Sequence, residues 1–237
     1  MRPWVNIFWG PGTNCHRETA YAFKLAGGDP HIVLRNRAIS GKDTLSDCDL
    51  FCLPGGFIDG DHIRSGFIMA LDMVNRFRDQ MLALMEKKIP ILGICNGMQD
   101  LAASGLLNGE LGRPTVLMDT NESTRFEHWQ NEKIVIHHCL GSIWTEGLDG
   151  VEMLLPVAHG EGRPVFLNQQ ANCVIAATYH SYEGDSGYPN SPNGSLIAGL
   201  SHGVIFGLMP HPERRVEKRQ GGTDGLRIFQ NGVNAVK

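Results

Sequence analysis

Between Ile89 and Ile94 the chain reads IPILGI, six residues without a charge, followed at once by Cys95-Asn96-Gly97. An unbroken apolar run this short suits a strand covered on both faces, as in parallel sheets flanked by helices. A helical pattern follows directly, so the G-x-C-x-G of residues 93–97 falls at a strand-to-helix corner. Glycine on either side leaves room for the backbone to pass beneath a lifted side chain. With serine at its centre this corner is the nucleophile elbow. The aligned amides of a helix start favour a thiolate over a thiol, and the amide of Asn96 points where an oxyanion would form. Free cysteine is also among the most buried residue types. On this segment alone a nucleophilic and a structural Cys95 both stand open.

The rest of the N-terminal half repeats the alternation. Val5–Trp9 reads as a strand ending at Gly10-Pro11-Gly12, and Thr13-Asn14 offers an N-cap to a helix closed by Gly27-Gly28. His31–Leu34 and Asp49–Leu53 read as strands, the second broken by Pro54-Gly55-Gly56. One long helical pattern is expected from about Ile68 to Lys88. Alternation with short glycine punctuation argues an α/β fold, a parallel sheet with helices on both faces. Past Gly112 shorter runs predict strands at Lys133–His137, Ser142–Trp144, Val151–Pro156 and Cys173–Thr178. A hairpin is expected across Ser201-His202-Gly203, and a last helix over Gly225–Val233. With no linker or repeat in view, residues 1–237 are expected to form one domain.

Composition removes several classes. The formal net charge is −4, and the densest basic cluster, RRVEKR at 214–219, contains a glutamate, which argues against a nucleic-acid partner. Six cysteines spread over 237 residues are too sparse for a disulfide scaffold. Cys48 and Cys52 have no matching pair for zinc, so no metal site is expected. No window approaches the roughly 18 apolar residues of a membrane span, and the N-terminus lacks a signal-peptide pattern. A soluble, cytoplasmic chain is expected.

Two distant segments favour the reactive reading of Cys95. In MPHPERR, His211 and Glu213 are two apart, so on an extended chain they project to one side, and Pro212 keeps His211 out of helix. A base with an orienting carboxylate is what a thiol nucleophile requires. In FCLPGGFIDGDHIRSG a strand ends in Pro-Gly-Gly, leaving a loop amide at Gly56 as a second oxyanion donor. Asp59, Asp61 and His62 in that loop could suggest a metal, though solvated polar residues are the commoner case.

Strand-PGGF, strand-GICNG and strand-MPHPE in this order resemble the class I glutamine amidotransferases. PGTNCHRETAYAFKLAGG, LPGGFIDGDHIRSG, GICNGMQ, NESTRFE, PVAHGEGR, PNGS and LMPHPERRVE extend the likeness from Pro11 to the C-terminus. Among these enzymes the chain is most similar to the glutaminase subunit of phosphoribosylformylglycinamidine synthase, with PVAHGEGR and PNGS the distinguishing parts. The resemblance implies a flavodoxin-like, open and mostly parallel sheet. It also implies a triad of Cys95, His211 and Glu213, oxyanion amides from Gly56 and Asn96, and glutamine contacts from Gln99, Gly55 and Phe57. The implied substrate is L-glutamine. The implied partner is a synthetase subunit, with or without a small third subunit, that holds ATP and magnesium; this chain shows no phosphate loop and no cofactor.

Departures from the family pattern fall at His16, at Ile58-Asp59-Gly60 and at His128-Trp129-Gln130, away from the triad. A subunit serving another synthetase and a stand-alone thiol hydrolase remain alternatives. His159 and Glu161 are expected to serve a loop or interface, His137 and His138 to be structural, and Cys15 to lack a base of its own. Arg64 and Arg125 could bind a carboxylate or form salt bridges.

Overall fold

The structure, a computed structural model, describes residues 1–167, 172–179 and 187–237. Its first half alternates strands and helices: β1 (Trp4–Trp9), α1 (His16–Leu25), β2 (Asp29–Leu34), α2 (Arg35–Ile39), β3 (Leu50–Leu53), α3 (Phe67–Asn75), α4 (Arg78–Glu86), β4 (Ile91–Ile94) and α5 (Asn96–Ser104). The second half is mostly strand: β5 (Val116–Asp119), β6 (Glu127–Ile136), β7 (Glu152–His159), β8 (Arg163–Phe166), β9 (Val174–Tyr179), β10 (Ile197–His202) and β11 (Ile205–Leu208), closed by α6 (Leu226–Ala235).

Nine strands form one open sheet in the order β2-β1-β3-β4-β11-β10-β9-β6-β7, and β5 pairs with β8 separately. Neighbours from β2 to β11 are parallel. Those from β11 to β7 are antiparallel. From β1 the chain steps one way to β2 through α1, and from β3 it steps the other way to β4 through α3 and α4. Right-handed crossovers therefore put the two helix groups on opposite faces. Accordingly α1 packs with α6, and α3 with α4 and α5. The centre of the sheet is dry: Leu50, Phe51, Ile91, Leu92 and Ile94 are all fully buried, each worth about 1.5–3 kcal/mol of transfer from water.

Some expectations need correction. The helical run over residues 68–88 is two helices, because the backbone leaves helix at Phe77, with φ −104° and ψ 11°. That break turns the buried Phe77 ring edge-on to Phe8, 6.0 Å between centroids. Residues 142–144 form no strand; Ile143–Thr145 is a 3-10 turn. The turn drives Trp144 into the core, where its indole N–H donates to the Val204 carbonyl at 2.8 Å. Thr13-Asn14 does not cap α1, which starts at His16 with Cys15 in the cap position. The Thr13 hydroxyl instead accepts the Gly10 N–H at 3.3 Å. Three short elements, α2, β5 and β8, were beyond the reach of periodicity. Among the described residues no helix is long and apolar enough to cross a membrane.

Candidate active site

The site is built on two neighbouring parallel strands. β4 and β11 pair in register from Ile91↔Ile205 to Ile94↔Leu208. Cys95 follows the last residue of β4, and His211 lies three residues beyond the end of β11. This is the carboxyl edge of a parallel sheet, where open α/β folds place their ligands.

At the corner Cys95 has φ 51° and ψ −106°, a conformation that costs a non-glycine residue on the order of 1–3 kcal/mol. Hydrogen bonds on both sides hold it there. The Cys95 N–H donates to the Leu208 carbonyl at 2.8 Å, and the Cys95 carbonyl accepts from Met98 and Gln99 at 2.9 and 3.1 Å. The following helix must pass almost against β3: a Cβ on Gly97 would lie 2.0 Å from the Leu53 carbonyl oxygen. Asn96 opens α5, so its amide has no partner within the helix.

His211 and Glu213 meet, though by a different local geometry from the extended chain expected. Pro212–Arg214 is a 3-10 turn, with His211 at φ −101° and ψ 88°. The His211 Nδ1 and Glu213 Oε1 are 2.7 Å apart, and both side chains are buried. The His211 N–H, donating to the Pro156 carbonyl at 2.8 Å, anchors the turn to β7. Gly55 backs the imidazole; a Cβ there would meet His211 Cε1 at 2.8 Å. Burial works against a charged imidazole, but Glu213 and then Cys95 outweigh it, and the His211 pKa is held well above its ordinary value. With Nδ1 committed to Glu213, the buried and unpartnered Nε2 is the nitrogen available to exchange a proton.

Cys95 stands between two small cavities. One, of about 220 Å³, is bounded by Asn14, His128, His211 and Arg214 as well as Cys95. The other, of about 110 Å³, is bounded by Asp61, Ser65, Gln99, His159 and Glu161. Gly56, Phe57, Phe126 and Ala158 border both. Phe57 and Phe126, with centroids 5.9 Å apart, form the half-exposed lip.

The second cavity is acidic. Gln99 is locked by its own amide: Nε2 donates to the Glu161 carbonyl at 2.7 Å, and Oε1 accepts from Asn96 Nδ2 at 2.9 Å. Asp61 Oδ1 accepts from Asn96 Nδ2 at 3.3 Å, and Glu161 Oε2 accepts the Ser65 N–H at 3.0 Å. Burial, reinforced by the charge of Glu161, raises the Asp61 pKa to about 6. The loop that delivers Asp61 is strained, with positive φ at Asp59, Asp61 and Ile63. Arg35 braces it by gripping both oxygens of Asp59 at 2.6 and 2.8 Å and by pairing with Asp72.

The family model of the CobB/CobQ-like glutamine amidotransferase domain matches residues 2–235. Subunit PurQ of phosphoribosylformylglycinamidine synthase from Dehalococcoides mccartyi is 36% identical over 246 residues, covering 94% of this chain and 93% of that protein. The corresponding subunit from Pyrococcus furiosus is 37% identical over 232 residues, with 96% of each covered. The chain belongs to the PurQ family of glutamine amidotransferases. Among solved structures, a chain of PurLQS from Thermotoga maritima superposes with a TM-score of 0.81 at 31% identity, each chain fully covered.

The residues expected to depart from the family pattern, at 16, 58–60 and 128–130, now have places. His16 stands edge-on to Trp9 at 6.1 Å between centroids, Asp59 takes the Arg35 brace, and His128 borders the cavity of His211. Trp129 donates its indole N–H to Glu127 Oε2 at 2.8 Å. His159 is a buried structural residue, with Nδ1 3.0 Å from Asn121 Oδ1, and burial lowers its pKa to about 3. Its neighbour Glu161 borders the smaller cavity instead of serving only a loop. His137 bonds Thr178 Oγ1 at 2.8 Å, and Arg64 lies 3.6 Å from Asp119. From the sequence Asp61 is weighed only as a metal ligand and Glu161 is expected to serve a loop or interface, while Arg214 is not singled out for the site; the G-D of GFIDGD and the G-E-G of HGEGR carry the signal for the first two.

Proposed function

We infer that this chain is the glutaminase subunit of phosphoribosylformylglycinamidine synthase, hydrolysing L-glutamine and passing ammonia to the synthetase subunit. The observation that carries the chemistry is the buried His211–Glu213 pair beside a cysteine lifted at the end of β4. The thiolate of Cys95 attacks the side-chain amide carbon of glutamine, and the amides of Gly56 and Asn96 receive the oxyanion. His211 delivers a proton from Nε2 to the departing ammonia. It then takes one from the water that cleaves the γ-glutamyl thioester. Glu213 holds the ring and stabilises its charged form. ATP and magnesium act in the synthetase subunit, which uses the ammonia to make formylglycinamidine ribotide.

The two cavities divide the substrate. The amino-acid end of glutamine lies in the cavity of Gln99, with its ammonium against Asp61 and Glu161, and the amide reaches Cys95. The complex is tested with a glutamine-mimicking electrophile, with and without the synthetase subunit, followed by peptide mapping. One adduct, on Cys95 and blocked by excess glutamine, is the expected result; an adduct elsewhere removes Cys95 from its role.

A pH effect follows from the acidic cavity. An ammonium needs the ionised form of Asp61, whose pKa of about 6 reflects burial and the facing charge of Glu161. Burial and then the charge of Asp61 raise the pKa of Asp100, buried nearby, well above its ordinary value. As pH falls through about 6, Asp61 takes up a proton and the KM for glutamine rises, while kcat follows a separate profile. Glu161→Gln raises KM by about 10–100-fold, the loss of one charged hydrogen bond. An unchanged KM in steady-state glutaminase assays would move the ammonium elsewhere.

A further inference from the structure

A second thiol lies against the catalytic imidazole. Cys15, 1% exposed in the turn before α1, has its Sγ 4.0 Å from His211 Nδ1. Arg214 Nη2 donates to that sulfur at 3.0 Å, and the sulfur contacts Asn14 Oδ1 at 3.0 Å. One ligating atom from each of Cys15, His211 and Glu213 lies within 4.8 Å of the other two, and all three residues are buried. Glu213 Oε2 is, in addition, a buried carboxylate oxygen with no hydrogen-bond partner.

A thiolate, an imidazole and a carboxylate are a donor set for a tetrahedral, borderline-soft ion. With metal–ligand bonds of about 2.0–2.3 Å, tetrahedral donor atoms stand roughly 3.3–3.6 Å apart. The 4.0 Å from Cys15 Sγ to His211 Nδ1 and the 2.7 Å from Nδ1 to Glu213 Oε1 bracket that spacing. Side-chain rotations of about half an ångström would reconcile them. Arg214 is the obstacle and also the door. Its side chain is 32% exposed and, with Asn14, forms part of the cavity wall beside Cys95. Swinging it into solvent opens a path to Cys15 and removes the guanidinium charge from beside the sulfur.

We propose that Cys15, His211 and Glu213 form an inhibitory site for zinc or a cation like it. The proposal rests on the triad reading for its effect on turnover, but not for binding. On binding, the Cys15 thiol releases its proton to solvent, and the thiolate and carboxylate together balance the dication. Metal on His211 Nδ1 displaces the proton from that nitrogen, so neutral imidazole keeps its single proton on Nε2. A ring held by metal on Nδ1 cannot form the imidazolium whose charge supports the Cys95 thiolate and whose Nε2 proton goes to the departing ammonia, and the nucleophile is disabled without being touched. Inhibition is reversible by a chelator.

The competing geometry is a metal bridging Cys95 and His211 Nε2, and the two cysteines separate them. In the complex with the synthetase subunit, glutaminase activity is titrated with buffered zinc chloride. Separately, the isolated chain is titrated with cadmium chloride, following thiolate-to-metal absorbance, a readout that needs no turnover. The wild type is expected to be inhibited and restored by chelator, and to bind one cadmium with a thiolate band. Cys15→Ala keeps its glutaminase activity but needs at least about 100-fold more zinc for half-inhibition, and loses the band. Cys15→Ser provides a second variant should the alanine form fold poorly. Cys95→Ala, inactive, still shows the band. Equal zinc sensitivity in wild type and Cys15→Ala, or a band lost in Cys95→Ala and kept in Cys15→Ala, overturns the proposal. A cadmium band that depends on Cys15 in a chain without glutaminase activity would instead keep the site and remove the triad reading.

Discussion

Cys95→Ala ends glutamine-dependent amidation by the complex and leaves ammonia-dependent amidation at the wild-type rate. Loss of the nucleophile costs at least about 10⁴-fold in glutaminase turnover, the scale on which thiol and hydroxyl triads fail when their attacking atom is removed. The second half of the expectation follows from the architecture. The corner that carries Cys95 is held by backbone hydrogen bonds to Leu208, Met98 and Gln99, none of which involves the sulfur. Alanine keeps the Cβ and therefore keeps the strained corner, so docking to the synthetase subunit should survive. The two nitrogen sources are compared on one preparation, with thermal unfolding as the control for folding. Parallel loss of both activities in a folded variant would sink the division of labour between the subunits.

Glu213→Gln has the next largest effect, about 10³–10⁴-fold in kcat, comparable with neutralising the carboxylate of a serine triad. The side chain is buried and shares a 2.7 Å hydrogen bond with His211 Nδ1, so glutamine fills the same space without the charge. Burial lowers the pKa of His211, and it is Glu213, followed by Cys95, that reverses this. Without Glu213 the imidazolium is less stable, and the thiolate that it supports forms only at higher pH. The pH profile for alkylation of Cys95 should accordingly move to the alkaline side. An unmoved profile, even with kcat reduced, would mean that Glu213 positions the ring without stabilising its charge.

What could be read from residue order was governed by how local the cause is. The corner at Cys95 is made by Gly93 and Gly97, neighbours in the chain, and the apolar run of β4 announces itself over six residues. The meeting of His211 with Glu213 was legible as spacing, although the conformation that brings them together, a 3-10 turn, was not. The break at Phe77 depends on Phe8, some seventy residues away, and no periodicity encodes that. The same holds for the acidic cavity. Asp61 and Glu161 are a hundred residues apart and are brought together by a strained loop braced through Arg35, Asp59 and Asp72. Cys15 lacked a base when only its own segment was considered, and found one 196 positions along the chain.

The register between β4 and β11 has one more consequence. Nucleophile and base hang from adjacent strands whose separation is fixed by backbone hydrogen bonds at about 4.8 Å, the stiffest spacing a fold can provide. The polar groups of the acidic cavity, proposed above to hold the amino-acid end, come from loops and turns at residues 61, 65 and 161. Reactivity and recognition thus have separate mechanical supports. Warming or sequence drift should loosen the grip on glutamine well before it spoils the alignment of sulfur and imidazole. Such a chain can lose affinity gradually while the strand register beneath its chemistry persists.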